Sequence, residues 1–302
     1  MSADAFSAPG RFFKGNLHTH STRSDGGIGP EEVCKRYRER GYDFISLTDH
    51  FVAAYEYPVV DTLAYRTNAF TTISGAECHA PGIENGDVWH ILAVGLPLDF
   101  EPNRPDETGP KLAQRCIDAG AFVTMPHPEW YGLTLADAQS IPNAHAVEVY
   151  NHTSHVRQGR GGGAYLLDAL LNEGRRINAV AADDAHWFLA SDENRDAFGG
   201  WVMVKAERNE PEELVAALKK GNYYSSQGPT IDNIEIIGDT IHIECSQAEE
   251  IMVVGPASKN AYLAGTGLTS AQLPITKFAS QRCRVMVRSA DGKLAWSNPI
   301  YL

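Results

Sequence analysis

The sequence predicts an α/β fold with a mostly parallel sheet or barrel, followed by a small all-β domain. Through about residue 228, short apolar runs rich in β-branched residues alternate with helical stretches. From Ile231 onward, short alternating runs are separated by Gly, Asn and Ser turns, without a convincing helix. These patterns predict a first domain at residues 1–228 and a small β-sandwich-like domain at residues 229–302.

The apolar runs of the first domain are typical of buried strands. Strands are predicted within residues 13–18, 43–50, 70–77, 88–96, 120–127, 146–151, 177–186 and 199–207. Helices are predicted between several of these runs, and the first helix has Pro30 near its start and Gly41 after its end. A strand and a helix therefore form a repeated unit.

Composition and charge limit the classes of function. The chain has 302 residues, 43% of them hydrophobic, and a formal charge of −12. Its five cysteines form no C-x-x-C pair, which favours a reducing compartment, and no run approaches the roughly 18 apolar residues of a membrane span. The acidic field repels polyanions. We expect a cytoplasmic protein without a membrane or long nucleic-acid partner, and the sequence carries no signal for its oligomeric state.

Two histidines one residue apart follow the first predicted strand. Residues i and i+2 of a strand lie on one face, so His18 and His20 are expected to project together. Imidazole is the commonest metal ligand in proteins, and two imidazoles side by side form a chelating pair. The alternative is a pair of surface histidines near a turn.

Further residues of the metal-ligand type stand at the ends of other predicted strands. They are His50, Glu77, His127, Asp184 and His186, with His90 inside an apolar run. In barrels of alternating strands and helices, the carboxyl ends of the strands form the active face. We therefore expect separate runs to direct imidazoles and carboxylates at one place.

Six ordered motifs make the chain resemble the PHP family, the polymerase and histidinol phosphatase metal-dependent phosphoesterases. The motifs are NLHTHSTRSDG, GYDFISLTDH, ISGAE, HILAVG, MPHP and AADDAH, and they lie between residues 13 and 228. The resemblance implies a distorted seven-stranded β/α barrel that binds two or three divalent metal ions.

The resemblance also assigns the metal ligands, position by position. They are His18, His20, Glu77 and Asp184 for a first metal, Glu77 with His90 and His127 for a second, and Asp25, His50 and His186 for a third. The carboxylates Asp25, Glu77 and Asp184 are the candidate catalytic residues. Some family members have histidine at the position of Asp25, and an anionic ligand there favours manganese or iron over zinc.

This set of ligands suits phosphoester hydrolysis. Six neutral imidazoles and three carboxylates carry about −3 of charge against about +6 from three divalent ions, which leaves a cationic pocket in an acidic protein. Metals about 3.5–4 Å apart activate water and bind phosphoryl oxygens. No covalent enzyme intermediate is required.

The segment HVRQGRGGG, residues 155–163, is a candidate substrate-binding site. Its glycines would let backbone N–H groups approach an anion, and Arg157 or Arg160 would bind phosphate through two hydrogen bonds. The alternative is an exposed loop.

Other residues near the motifs keep two interpretations. Asp49 and Asp183 either orient metal-bound imidazoles or cap helices. Glu148 and Asn151 alternate unfavourably for one face of a strand, so we expect only a weak role in the pocket. The remaining histidines match no ligand position of the family and are expected at the surface or in the core; they are His79, His145, His152, His155 and His242.

We expect hydrolysis of a phosphate ester on a small phosphorylated molecule by metal-activated water. The alternatives are a nucleotide or short-oligonucleotide phosphatase or exonuclease, an amidohydrolase-type C–N hydrolase, and a non-catalytic metal-binding scaffold. The SDG and TDH elements disfavour the amidohydrolase, and the complete set of ligands disfavours the scaffold.

Overall fold

The computed structural model describes residues 4–188 and 195–302. Its helices are α1 (Asp4–Ser7), α2 (Pro30–Glu39), α3 (Gly109–Asp118), α4 (Pro128–Tyr131), α5 (Leu135–Ser140), α6 (His152–Gln158), α7 (Ala164–Asn172) and α8 (Pro211–Lys220). Its strands are β1 (Arg11–Asn16), β2 (Phe44–Leu47), β3 (His50–Phe51), β4 (Thr71–Ala80), β5 (Trp89–Val94), β6 (Phe122–Met125), β7 (Ala146–Asn151), β8 (Asn178–Ala182), β9 (Trp201–Ala206), β10 (Tyr223–Ser226), β11 (Ile231–Ile237), β12 (Thr240–Val254), β13 (Asn260–Pro274), β14 (Arg282–Arg288), β15 (Leu294–Ser297) and β16 (Ile300–Tyr301). Short 3₁₀ turns lie at Ala53–Tyr55, Leu63–Tyr65 and Thr276–Phe278.

The strands join in one hydrogen-bonded sheet of mixed direction. In the first part of the chain, β1, β2 and β4 are parallel neighbours, and so are β6, β7 and β8. Strand β5 lies between these two groups and runs antiparallel to both β4 and β6. Strand β9 pairs antiparallel with β1, and β10 pairs antiparallel with β9.

The α/β class is confirmed, but the regular β/α alternation of a seven-stranded barrel is not what this sheet shows. Residues 81–88 join β4 to β5, and so short a link cannot form the crossover that a parallel neighbour needs. Strand β5 therefore returns antiparallel, with His90 paired opposite His79. As a result, the first residues of β5 lie at the edge where β4 ends.

The sheet of the first part is strongly curved. One apolar cluster contains Phe13, Phe44, Phe122, Val180 and Val204, which come from five different strands. Side chains of β1 and β8, far apart in the strand order, meet in this cluster. The curvature brings the carboxyl ends of the parallel strands toward one another.

Helices α2, α3, α7 and α8 bury apolar side chains, as the predicted helix signals require. Helix α2 begins at Pro30 and buries Val33 and Tyr37. Helix α8 begins at Pro211 and is followed by Gly221, whose φ of 75° forms the left-handed turn that ends the helix. Within the described residues, no helix is both long enough and apolar enough to cross a membrane.

The C-terminal strands β11 to β16 pair antiparallel, as the alternating runs predict. Their buried side chains form an apolar core that includes Ile234, Ile251 and Val285. Strand β15 also pairs with β10, so these strands continue the sheet of the first part of the chain.

Candidate metal centre

The nine residues predicted as metal ligands come together at one edge of the sheet. They are His18, His20, Asp25, His50, Glu77, His90, His127, Asp184 and His186. The first two stand beyond the end of β1, where an isolated parallel bridge joins Thr19 to Ala185 in the segment after β8. The His18 and His20 rings lie 5.3 Å apart between centroids, so the two imidazoles lie side by side as their spacing predicts.

Glu77 lies at the middle of this cluster and is almost fully buried. Its Oε1 atom is 2.8 Å from His90 Nδ1 and 2.9 Å from His127 Nε2. Its Oε2 atom is 3.7 Å from the Nε2 atoms of both His18 and His20. The two carboxylate oxygens therefore face two different groups of imidazoles, which is the arrangement expected of a bridging ligand.

Asp184 faces the first of these groups. Its Oδ1 atom lies 3.0 Å from His20 Nε2 and 3.2 Å from His18 Nε2. The backbone of Asp184 has a φ of 58°, and that of His127 has a φ of 28°. Few residues other than glycine adopt this left-handed region, and such strain concentrates at functional sites.

Asp25 forms a third group with imidazoles at the mouth of the site. Its carboxylate oxygens lie 3.5 Å from the Nε2 atoms of both His50 and His186, and 3.8 Å from His20 Nδ1. Burial alone would raise the pKa of Asp25, but the hydrogen bond from His50 and the charge of His186 lower it below its usual range. The Asp25 side chain is 34% exposed, so this carboxylate borders solvent.

Buried polar atoms in the cluster lack hydrogen-bond partners. They are His18 Nε2, His20 Nδ1, Glu77 Oε2 and His127 Nδ1. A buried polar atom without a partner costs about 1–3 kcal/mol. Converging imidazole and carboxylate lone pairs are the donors that divalent transition metals prefer. These residues therefore fit metal ions.

The imidazoles hold the carboxylates of Glu77 and Asp184 in their ionised form. Burial by itself raises the pKa of Glu77, but the neighbouring His90 and His50 lower it well below its usual range. Burial also raises the pKa of Asp184, and His18 reverses that effect and lowers it strongly. Both groups are therefore anionic at neutral pH and available as ligands.

The imidazoles themselves differ in charge. Burial, together with His186 and His50 nearby, lowers the pKa of His20 to about 3. Burial would also lower the pKa of His50, but Glu77 and Asp25 raise it to about 10. Protons on some imidazoles thus balance the negative charge of the carboxylates. Bound metal ions would displace those protons, because an imidazole binds metal through a nitrogen that carries no proton.

Comparison with known proteins supports the fold. No protein-family model matches the chain, and no curated protein matches it. Among solved structures, one similar chain comes from Bacteroides vulgatus and is described as a two-domain protein containing a predicted PHP-like metal-dependent phosphoesterase. Its sequence is 16% identical to this chain, and the alignment covers 99% of this chain and 97% of the Bacteroides chain. The two structures superpose with a TM-score of 0.52. The chain has that protein's fold.

Two further solved structures superpose less closely. A candidate metal-dependent phosphoesterase from Bifidobacterium adolescentis is 12% identical over 60% of this chain and 91% of its own, with a TM-score of 0.41. An amidohydrolase from Chromobacterium violaceum with bound sulfate and no metal is 14% identical over 69% of this chain and 96% of its own, with a TM-score of 0.44. The fold assignment rests on the Bacteroides protein, and it confirms at the level of the fold the likeness that the six motifs indicated.

Glu148 has a larger role than the sequence predicted. A bulge in β7 shifts the register between Glu148 and Tyr150, so the strict alternation used in the prediction does not apply. Glu148 Oε1 lies 2.8 Å from His18 Nδ1, and Oε2 accepts hydrogen bonds from the His127 backbone N–H at 2.8 Å and from Asn151 Nδ2 at 2.9 Å. The buried carboxylate therefore orients two of the predicted ligands.

Replacing Glu148 with glutamine is expected to weaken metal binding without removing a ligand. The amide cannot supply the charged acceptor that orients His18, and losing such a partner typically lowers metal affinity by about 10–100-fold. Competitive titration with a chromogenic chelator measures this affinity, and the exposed Glu235→Gln variant is the matched control. Equal affinity in both variants contradicts the assigned role of Glu148.

Asp49 and Asp183 hold loops rather than imidazoles or helix ends. Asp49 accepts hydrogen bonds of 2.7 Å from the backbone N–H and the hydroxyl of Ser21, and from the hydroxyl of Ser24. Asp183 accepts hydrogen bonds of 2.8 Å from the backbone N–H groups of residues 198–200. Asp49 thus fixes the loop segment between His20 and Asp25.

Gly162 and Gly163 direct their N–H groups at the protein rather than at the cavity. The Gly162 N–H donates to Glu129 Oε2 at 2.7 Å, and the Gly163 N–H donates to the Val149 carbonyl at 3.1 Å. A Cβ atom on Gly163 would lie 1.9 Å from the backbone oxygen of Glu148. Close packing on β7 therefore requires glycine here.

A cavity of about 240 Å³ opens onto the centre. Arg157 lines it, with its guanidinium carbon 4.1 Å from the centre of the Phe188 ring, and that ring stacks on His186 at 5.0 Å. Trp130 lines it as well. Arg160 is exposed and is not among the described residues that line this cavity. The structure therefore brings only one of the two predicted arginines to the site.

His79 also lies at the centre, contrary to the prediction. It follows Glu77 by two residues on β4 and therefore faces the same side. The i, i+2 spacing that identified the first histidine pair would have identified this residue too. The remaining histidines lie outside the ligand groups found among the described residues; they are His145, His152, His155 and His242.

Proposed function

We propose that this protein is a PHP-type metal-dependent phosphoesterase that hydrolyses a phosphate ester on a small molecule. The observation that carries the proposal is the convergence of imidazoles on both carboxylate oxygens of the buried Glu77. Asp25, Glu77 and Asp184 supply the negative charge of the centre.

The proposed centre holds two or three divalent ions of manganese, iron or zinc. The support is the set of ligand groups around Glu77, Asp184 and Asp25, together with their unpartnered buried atoms. When bound, such ions lower the pKa of a water molecule and neutralise charge on phosphoryl oxygens. A net positive centre in a chain of formal charge −12 attracts phosphate locally.

The chain's own residues orient the reacting groups. His18 directs Nδ1 at Glu148, and His186 directs Nδ1 at the backbone carbonyl of Asp184, at 2.8 Å in each case. These hydrogen bonds leave the Nε2 atoms to face the centre. Trp130 lies on the wall of the cavity.

The experiment that tests this function compares substrate classes. With manganese, iron or zinc, kcat/KM for small phosphate mono- and diesters is expected to exceed that for single-stranded DNA or RNA longer than about ten nucleotides, because long strands need several cationic contacts. The two classes are measured at matched ionic strength. Faster release of nucleotides from the long strands contradicts the small-substrate proposal and favours an exonuclease.

Arg157 is proposed to bind the phosphate of the substrate, and Arg160 is its matched control. Arg157→Ala is expected to lower kcat/KM by about 1–3 kcal/mol of lost charge-assisted bonding, that is by about 5–150-fold, with metal content unchanged. Arg160→Ala is expected to retain the parent kinetics, because that side chain lies outside the described lining of the cavity. Parent kinetics in both variants contradict the role of Arg157.

Three further parts of the proposal concern the whole chain. We propose that residues 1–228 carry the catalysis and residues 229–302 form a second domain, which an apolar core formed mainly by residues 231–300 supports. The curved sheet is proposed to be a distorted barrel, since the Ser225 hydroxyl of β10 accepts from the Ala181 N–H and donates to the Ala179 carbonyl of β8. Five free cysteines support a cytoplasmic location.

A further inference from the structure

A second cavity, larger than the one at the metal centre, lies at the other end of the parallel strands β7 and β8. It measures about 600 Å³, against about 240 Å³ for the cavity at the centre. Its wall includes His145, which directly precedes β7, and Asn178, the first residue of β8. Asp184, a predicted metal ligand, lies six residues beyond Asn178, which corresponds to up to about 20 Å along an extended chain. The second cavity is therefore distinct from the metal centre.

The wall of the second cavity is built from both parts of the chain. The end of α8, residues 219–221, supplies one side, and residues 297–302 supply another. Asn298 joins these sides to the sheet: its Oδ1 accepts from the Ala179 N–H at 2.9 Å, and its Nδ2 donates to the Tyr223 carbonyl at 3.0 Å. These hydrogen bonds fix the wall of the cavity against β8 and β10.

The second cavity carries positive charge without an acidic side chain beside it. Arg176, Lys219 and Lys220 line it, and no Asp or Glu is among its described lining residues, although acidic residues outnumber basic ones in the chain by 38 to 26. The Arg176 guanidinium lies over the Tyr301 ring, 4.4 Å from its centre, and Lys219 Nζ donates to the Gly120 carbonyl. Neither Arg176 nor Lys220 forms an ion pair within the part of the chain that the structure describes. Two cations are therefore available to an anion.

The size and the remaining wall of the second cavity suit a small organic molecule. Phe6, Ile177 and Ile300 supply apolar surface to the wall. Small-molecule sites in proteins typically measure about 300–1,000 Å³ and combine apolar walls with a few charged or polar groups. A ligand that fits this cavity therefore has an apolar body and an anionic group.

We propose that the second cavity is a binding site for a small organic phosphate, separate from the metal centre. A guanidinium binds phosphate oxygens through two parallel hydrogen bonds, and a lysine adds a positive charge. Arg176 and Lys220 supply these two groups. A phosphate monoester carries nearly two negative charges at neutral pH, which two cations match better than they match a single carboxylate. The apolar wall receives the body of the ligand.

The test uses phenylphosphonate, which has an aromatic ring, a phosphonate group and no ester bond to hydrolyse. Isothermal titration calorimetry of the manganese-loaded protein is expected to show two molecules bound per chain, one at each cavity. The double variant Arg176→Ala, Lys220→Ala is expected to weaken binding at the second cavity by at least about tenfold, because each lost hydrogen bond to a charged group lowers affinity by about 10–150-fold. The double variant Arg38→Ala, Lys111→Ala removes the same charge from exposed positions elsewhere and is expected to bind as the parent does.

Hydrogen–deuterium exchange locates the two bound molecules. Binding at the second cavity is expected to slow exchange at residues 219–223 and 297–302, whereas binding at the metal centre is expected to slow it at residues 151–158 and 183–188. Inorganic phosphate, which lacks an apolar body, is expected to bind the second cavity at least about tenfold more weakly than phenylphosphonate.

The outcomes separate this inference from the proposed function. Parent affinity in the variant without Arg176 and Lys220 overturns the inference, and so does an equal loss in the control variant, because net charge alone would then decide binding. Unchanged exchange at residues 219–223 and 297–302 also overturns it. Inorganic phosphate that binds there as tightly as phenylphosphonate overturns the assignment of an organic ligand. Binding confined to these residues, with none at the metal centre, supports the second site and contradicts the proposed function.

Discussion

Glu77→Ala is expected to empty two metal positions and to lower kcat/KM by more than about 100-fold, the upper range for residues that merely orient ligands. The physical reason is that Oε1 faces His90 and His127 while Oε2 faces His18 and His20. The measurements are metal content per chain and steady-state kinetics on a small phosphate ester.

Two other variants make the Glu77 result specific. Glu235→Ala, at an exposed position on β11, is expected to keep full metal content and activity. His50→Ala is expected to lose one ion and to spare the pair around Glu77, since His50 Nε2 faces Asp25. Full metal content in folded Glu77→Ala contradicts the bridging role.

Removing the ions is expected to destabilise the whole protein. Binding at about 100 times Kd stabilises the native state by about 2.7 kcal/mol for each site, so with two sites the melting temperature in manganese is expected to exceed that in chelator by at least about 5 °C. The unpartnered buried atoms of His18, His20 and Glu77 are the structural source of this difference. Differential scanning calorimetry measures it.

The Glu77→Ala variant is the control for this stability effect. Its melting temperature is expected to respond less to manganese, because two of the positions have lost their shared ligand. Identical melting curves in chelator and in manganese, for the parent protein, contradict a structural contribution of the metal centre.

Most of the predicted ligands were accessible from the sequence because they follow strand ends. A strand end is recognisable from a local apolar run, and curvature of the sheet then brings distant ends together. Asp25 came only from the family resemblance, Glu77 lies inside β4 rather than at its end, and His90 lies inside a run. The position of His90 became understandable only from the antiparallel direction of β5, which depends on the short link at residues 81–88.

The parts that the sequence did not predict depend on backbone irregularity and on packing. The bulge in β7 puts Asn151 on the same side as Glu148, where its Nδ2 donates to Glu148 Oε2, and no residue type in that strand signals it. Gly161 and Gly163 pack closely on the backbone of β7, and this contact with a distant strand is not visible in the local sequence. The position of His79 could be predicted from its i, i+2 spacing to Glu77, but the ISGAE motif of the family contains Glu77 alone.

The metal content of the parent protein tests the central claim most directly. Protein purified without chelator and analysed by inductively coupled plasma mass spectrometry is expected to contain two or three divalent ions per chain, held by the groups around Glu77, Asp184 and Asp25. A well-folded protein that binds at most one divalent ion per chain, even after incubation with manganese, iron or zinc, contradicts the account.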